Sequence, residues 1–424
     1  MVKVEGLRAE RDDEYDYIDK EEETNFMETV MNLLKLNVGL GVLTLPFALR
    51  EGGLYFGSIL IPVIGLVITY NMIIMSETNL ALSFKYNKKW LGFAGTVKYS
   101  LEPYVSPRIL KMIVFTIKSV LLLYLIGSCS LYIISASEII DEVTGNMFKD
   151  KRAWTVIIAF PVICLTFVSN LSTISLISAA SNFLILFGLA CVFIYSVPNV
   201  KSEVLHSKFV LWNGVPNCVN TVVFAYEGII SMLPVVNLMR DKSRIKSAIK
   251  WSNGMCIIFY SLIGTFCYLA FGTETKPQVL LNLPHSTWFN LIKILYAFGI
   301  ILSFIVTIYC TLTLILPVIF QIRKFHIIEK TTLKLLVRFL LILTGVSLAV
   351  GFPWLEDTLN ILGAFFSLPI SFIIPPIVHT ITILQFEDSG YRKYIRLCLN
   401  LSFGFIGLFL TIVGIRWSIS SIST

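Results

Sequence analysis

The stretch Asn32-Leu-Leu-Lys-Leu-Asn-Val-Gly-Leu-Gly-Val-Leu-Thr-Leu-Pro46 reads as an apolar helix that cannot stay continuous. Gly39 and Gly41 lower helix propensity midway along it, and Pro46 removes a backbone donor a few residues later. A second stretch, Phe224-Ala-Tyr-Glu-Gly-Ile-Ile-Ser-Met-Leu-Pro234, repeats the device with an acid and a glycine at the same depth. In hydrocarbon every N–H and C=O needs a partner, so unwound backbone persists only where it lines a polar cavity. Glycine and proline also serve close packing in membrane helices. Two interruptions opening corresponding halves of a chain, one with an embedded acid, point instead to a transporter site in an inverted-repeat fold.

The surrounding sequence supplies the membrane. Of 424 residues, 56% are hydrophobic and 14% charged, against about 25% charged in soluble domains. About eleven apolar segments can cross a core of ~30 Å, at approximately 26–50, 54–82, 109–139, 154–170, 174–197, 217–239, 251–271, 287–320, 335–352, 358–385 and 396–416. They are continuous rather than alternating, which excludes a β-barrel. The expected fold is an all-α polytopic membrane protein with discontinuous first and sixth helices. Its transporter domain covers 26–424, with repeat one over about 26–197, repeat two over about 217–385 and an eleventh helix over about 396–416. Residues 1–25 carry ten acidic and four basic side chains and read as a disordered cytoplasmic tail, either inert or a docking site for a cytoplasmic partner.

The net charge of +7 is distributed as topology. Clusters at Lys85–Arg108, Arg240–Lys250, Arg323–Arg338 and Arg392–Arg396 alternate with poorer loops, so the N-terminus is expected in the cytoplasm and the C-terminus on the extracellular or luminal side. No nucleic-acid partner is implied. The eight cysteines lack metal-ligand spacing and sit mostly in apolar segments, so neither a metal site nor a disulfide framework is expected. No nucleophile–base pair or phosphate loop can be assembled, which excludes an enzyme. A channel would need a selectivity ring or a polar lining, and the apolar third, fifth and seventh spans offer none.

Leu33-Leu34-Lys35-Leu36-Asn37-Val38-Gly39-Leu40-Gly41, with Leu45-Pro46 and Gly52-Gly53, resembles the first-helix signature of the amino acid/auxin permease family, in particular its proton-coupled amino acid transporter branch and vacuolar relatives. Phe224-Ala225-Tyr226-Glu227-Gly228 with Leu233-Pro234 is similar to the sixth-helix signature of the same branch. The resemblance covers nearly the whole chain. It implies five-plus-five inverted repeats with an eleventh helix, moving amino acids by alternating access. By position, Asn37, Val38, Gly39, Leu40 and Gly41 would present backbone to a substrate carboxylate, with Leu40 and Gly41 as the main donors. Phe224, Ala225, Tyr226, Glu227 and Gly228 would supply carbonyls for the amine and aromatic walls. Tyr124, midway along the third span, is a candidate aromatic facing the site or an ordinary packing residue. Where animal members often carry a histidine associated with proton coupling, this chain has Asn32, which cannot titrate. Val236 replaces an acid of the sixth-helix pattern, and Tyr226 replaces a phenylalanine and could bring a hydroxyl near the substrate.

Charges at membrane depth are functional candidates. Glu227 is the clearest, since hydrocarbon disfavours its charged form and suits it to carry a proton; the alternative is an acid that pins the unwound segment. Lys35 either fills the space of a sodium ion with its ammonium or snorkels toward the cytoplasm. Ser303 and Thr307 stand where sodium-coupled relatives of this fold place cation oxygens, or they back-bond to their own helix. His379 either titrates or packs as a hydrogen-bonding group. The expectation is a sodium-independent, proton-coupled carrier of small neutral amino acids, with the proton as coupling ion and no other cofactor, in the plasma membrane or a lysosomal or vacuolar membrane. A sodium-coupled symporter and an amino-acid-sensing receptor signalling through the acidic tail are the alternatives.

Overall fold

The computed structural model describes residues 23–423 apart from 89–90, 146, 149, 151, 166–170, 207, 323–326 and 387–389. Residues 1–22 of the expected tail, and Arg323 and Lys324 of a basic cluster, lie outside these. The first half runs through α1 (Phe26–Asn37), α2 (Gly41–Gly52), α3 (Leu54–Lys85), α4 (Phe93–Leu101), α5 (Pro107–Val143), α6 (Arg152–Leu165) and α7 (Leu171–Ser196). The second half has α8 (Val215–Ala225), α9 (Met232–Leu238), α10 (Ile245–Phe271), α11 (Thr287–Ile322), α12 (Ile327–Gly351), α13 (Leu355–Leu362) and α14 (Ile374–Phe386). A final helix, α15 (Tyr391–Ser423), follows.

Each expected apolar segment corresponds to one helix or to a broken pair. Seven of the described helices are long and apolar enough to cross a membrane, and the bent pair Phe26–Asn37 plus Gly41–Gly52 makes an eighth span. Arg152–Ile163 and Leu335–Gly351 are shorter apolar helices, and the sixth span is split into the short α8 and α9. By length and composition the described helices thus give up to eight spans, against the eleven expected.

Both interruptions fall where the glycines and the acid placed them. Asn25 starts α1 with a capping box: its Oδ1 accepts from the Glu28 N–H at 3.0 Å, and its own N–H donates to Glu28 Oε2 at 2.8 Å. The helix stops at Val38, in extended conformation, and resumes at Gly41 after a 52° bend. α8 ends at Tyr226, a 3₁₀ turn covers Glu227–Ile229, and α9 resumes at Met232.

The broken helices lie half against half. α2 packs along α8, and α1 packs along α9 and the 227–229 turn. Thr24 clamps the start of α1 to the end of α9: its N–H donates to the Leu238 carbonyl at 3.0 Å, and the Arg240 N–H donates back to its carbonyl at 3.0 Å. Gly41 is required for the α2–α8 approach, because a Cβ there would stand 2.6 Å from the Ala225 Cα. Gly41→Val should therefore cost about 1–3 kcal/mol of overpacking, read as a lowered thermal unfolding midpoint of the detergent-purified chain.

Two elements depart from expectation. The loop after the second span contains α4, a buried helix held where Asn79 Nδ2 donates to Leu91 O and Thr96 Oγ1, both at 2.8 Å. Read for its lysines, that segment was legible only as a cytoplasmic loop. The tenth span is also not a plain helix: between α13 and α14 it takes π-helical turns at Gly363–Ser367 and Pro369–Ile373. A proline inside the span removes a donor from the ladder and favours such a bulge.

At one end of the bundle a polar network joins α3, α10, α14 and α15. Glu77 forms an ion pair with Lys246, lies 3.8 Å from Arg396 Nη1 and sits 3.5 Å from His379 Nε2. His379 is buried, with its Nδ1 3.0 Å from Asn400 Nδ2, and Tyr70 donates to Asn400 Oδ1 at 2.9 Å. The histidine is a packed, hydrogen-bonded group of this network, far in sequence from the interruptions.

Candidate substrate site at the broken helices

A cavity of about 160 Å³ opens at the two interruptions. From α1 and the break it is lined by Lys35, Leu36, Val38 and Gly39, and from the second break by Glu227, Gly228, Ile230 and Ser231. α5 contributes Tyr124, Ser128 and Tyr132, α7 contributes Ser178, Ser181 and Asn182, and α11 contributes Ser303 and Thr307. Each half of the chain thus brings its unwound segment to the same space.

Tyr124 donates a hydrogen bond to the Glu227 carboxylate across this cavity. Its ring also lies 6.4 Å from that of Phe224. The acid of the broken helix is therefore held by a hydroxyl rather than by a cation: none of its described partners is a lysine or arginine. Lys35 is exposed at the cavity wall and makes no ion pair among the described residues. The hydroxyls of Ser303 and Thr307 are both engaged. Ser303 Oγ is 2.5 Å from Ser181 Oγ, which itself donates to Gly299 O at 2.9 Å, and Thr307 Oγ1 donates to Ser303 O at 3.1 Å.

The other residues named from the sequence form the wall behind. Asn37, Leu40, Gly41, Phe224, Ala225 and Tyr226 are all buried and do not line the cavity. Gly228 faces Asn37 so closely that a Cβ would collide with the Asn37 amide. Asn37 Nδ2 donates to Leu33 O and to Asn253 Oδ1, each at 3.1 Å, which fixes the end of α1 against α10. The Tyr226 hydroxyl, expected near the substrate, instead points toward Gly65 of α3 and has no hydrogen-bond partner among the described residues. Its ring packs 4.8 Å from that of Tyr260. Tyr226, one residue beyond α8, thus faces away from the cavity that its neighbour Glu227 lines.

The residue that sequence reasoning missed is Tyr260 of α10. Its hydroxyl donates to the Asn37 carbonyl and lies 3.3 Å from the Ala225 carbonyl. These are the last carbonyls of α1 and α8, the groups that two interrupted helices leave without intrahelical partners. One wholly buried side chain thus serves both ends. The serines and tyrosines of α5 were legible in principle, since Tyr124, Ser128 and Tyr132 recur every fourth residue on one face.

The family of transmembrane amino acid transporter proteins matches residues 22–420. The chain is 27% identical over 382 residues to the Drosophila melanogaster proton-coupled amino acid transporter-like protein pathetic, covering 87% of this chain and 78% of that one. It is 26% identical over 370 residues to the Saccharomyces cerevisiae vacuolar amino acid transporter 3, covering 83% of this chain but about half, 51%, of that longer protein. Among solved structures, the Eremococcus coleocola manganese transporter superposes with a TM-score of 0.58 at 12% identity, covering 94% of this chain and 92% of that one. MhsT in complex with L-phenylalanine does so with a TM-score of 0.53 at 13% identity, over 94% and 100%. At such identities the likeness establishes the transporter fold alone. The match along nearly the whole chain, on top of two interrupted helices meeting at one cavity, places this multi-pass membrane protein in the transmembrane amino acid transporter family.

Proposed function

We propose that the chain carries small neutral amino acids by alternating access, coupled to protons and independent of sodium. The observation that supports this most is the cavity of about 160 Å³ holding Glu227, Tyr124 and Lys35 between the two breaks. It is small beside the roughly 300–1,000 Å³ of drug-sized sites, which favours a small side chain. Glu227 and the Tyr124 hydroxyl face a substrate ammonium, and the N-terminus of α2, through its dipole, favours the carboxylate. Glu227 is the protonation site and Lys35 the fixed cation in place of sodium. The D. melanogaster relative is named for proton coupling, and that agrees with this reading.

The packing fits one state of an alternating cycle. The cavity draws on α1, on the 227–231 segment and on α7 and α11, while α2 and α8 meet closely at Gly41 and Ala225. Proteoliposomes preloaded with L-alanine should take up radiolabelled L-alanine by saturable counterflow. Linear flux unaffected by internal substrate would count against a carrier.

A further inference from the structure

A larger cavity, of about 560 Å³, lies at the far end of α5. Tyr124, Ser128 and Tyr132 face the central cavity, and Glu138, Asp141 and Glu142 of the same helix line the second one. At 1.5 Å per residue, about 9 Å separate Tyr132 from Glu138. Gln278, wholly buried in the α10–α11 connection, stands between them. Ser135 Oγ donates to Gln278 Oε1 at 2.7 Å, and Gln278 Nε2 donates to Glu138 Oε2 at 3.1 Å and to Ser135 O at 3.3 Å. The opposite wall carries Trp354, Glu356 and Asp357.

The wall is strongly anionic. Five carboxylates, Glu138, Asp141, Glu142, Glu356 and Asp357, meet one lysine, Lys276, whose Nζ is spent on Glu142 at 2.9 Å. His285 Nε2 approaches the same Glu142 at 3.2 Å. Asp141 is different in kind: it is 5% exposed, and its Oδ1 has no hydrogen-bond partner among the described residues. A buried carboxylate oxygen without a donor is costly, and a ligand that donates to it removes that cost. Among the described residues no three His, Cys, Asp or Glu side chains converge as metal ligands, and an ammonium supplies the hydrogen-bond donor that a bare cation lacks. Trp354 and Phe148 supply aromatic faces for a cation and its carbon chain.

We infer that this vestibule is a second binding site, for a primary ammonium on an aliphatic chain, with Asp141 as its acceptor and the Ser135–Gln278–Glu138 hydrogen bonds as the partition from the central cavity. The site stands whatever the central cavity carries. Equilibrium dialysis of radiolabelled cadaverine against the detergent-purified full chain tests it, cadaverine having two ammoniums and no carboxylate. Saturable, salt-weakened binding is expected, lowered roughly tenfold or more in Asp141→Asn as a charge-assisted bond is lost and unchanged in Glu227→Gln. Should Asp141→Asn fail to elute as a folded species, the half-buried pair Glu356→Gln/Asp357→Asn carries the test, and a weakened affinity is again expected. Absence of saturable binding overturns the inference. So does affinity unchanged in these vestibule variants, or loss in Glu227→Gln alone. L-Alanine counterflow measured in parallel reports separately on the central cavity.

Discussion

Glu227→Gln should abolish acid-driven accumulation of amino acid while leaving exchange of substrate across the membrane. The glutamine carbonyl can still accept from Tyr124, so the hydrogen bond that spans the cavity survives. What disappears is a group that can gain and lose a proton. On the proposed mechanism, uptake by the native chain should rise as the donor side is acidified, because protonation of Glu227 there would accompany substrate and release would follow on the less acidic side. In the variant that dependence flattens. The loss in concentrative uptake should be roughly 5–150-fold, the span of a coupling free energy of about 1–3 kcal/mol. Counterflow, which needs no net proton movement, should persist. A variant that keeps its pH dependence removes Glu227 from coupling.

Tyr260→Phe should be the most damaging change outside the cavity wall. The hydroxyl serves the Asn37 and Ala225 carbonyls, the ends of α1 and α8, in a place with no solvent. The single O–H is shared between them, the Asn37 carbonyl taking the shorter bond, so removing it costs about 1–3 kcal/mol for one buried acceptor left without its donor. The ring itself remains, so its packing against Tyr226 is kept and the effect isolates the hydroxyl. A fall in the thermal unfolding midpoint together with reduced L-alanine uptake is expected. An unchanged midpoint would show that these carbonyls find other partners.

The interruptions were legible because glycine, proline and a membrane-embedded acid are costly in apolar helices and are seldom placed there without a role. Gly39, Gly41, Glu227 and Gly228 carried that information in their residue types alone. The division of labour around them was not legible. Whether Phe224, Ala225 and Tyr226 face the cavity or the wall behind it depends on the turn at 226–229, where the backbone leaves helical geometry and periodicity loses its meaning. Tyr260 gave no signal, since one tyrosine in an apolar span looks like any packing residue until its hydroxyl is seen to reach two helix ends. The π-helical tenth span was hidden for a related reason. Its π-helical stretch is apolar but for Ser367 and Ser371, and a bulge changes hydrogen bonding without a composition of its own. Glu138 and Asp141 carry no signal of a site in the sequence, because their relation to Gln278 and Glu356 exists only after folding.

The proposed carrier rests on Glu227 as the proton site and on Lys35 occupying a sodium position. Uptake of radiolabelled L-alanine into proteoliposomes, with sodium and pH gradients imposed one at a time, tests both together. An acidic donor side should drive accumulation to the same extent in sodium and in potassium, and a sodium gradient at uniform pH should drive none. Accumulation driven by sodium alone, with no response to the pH gradient, would contradict the account.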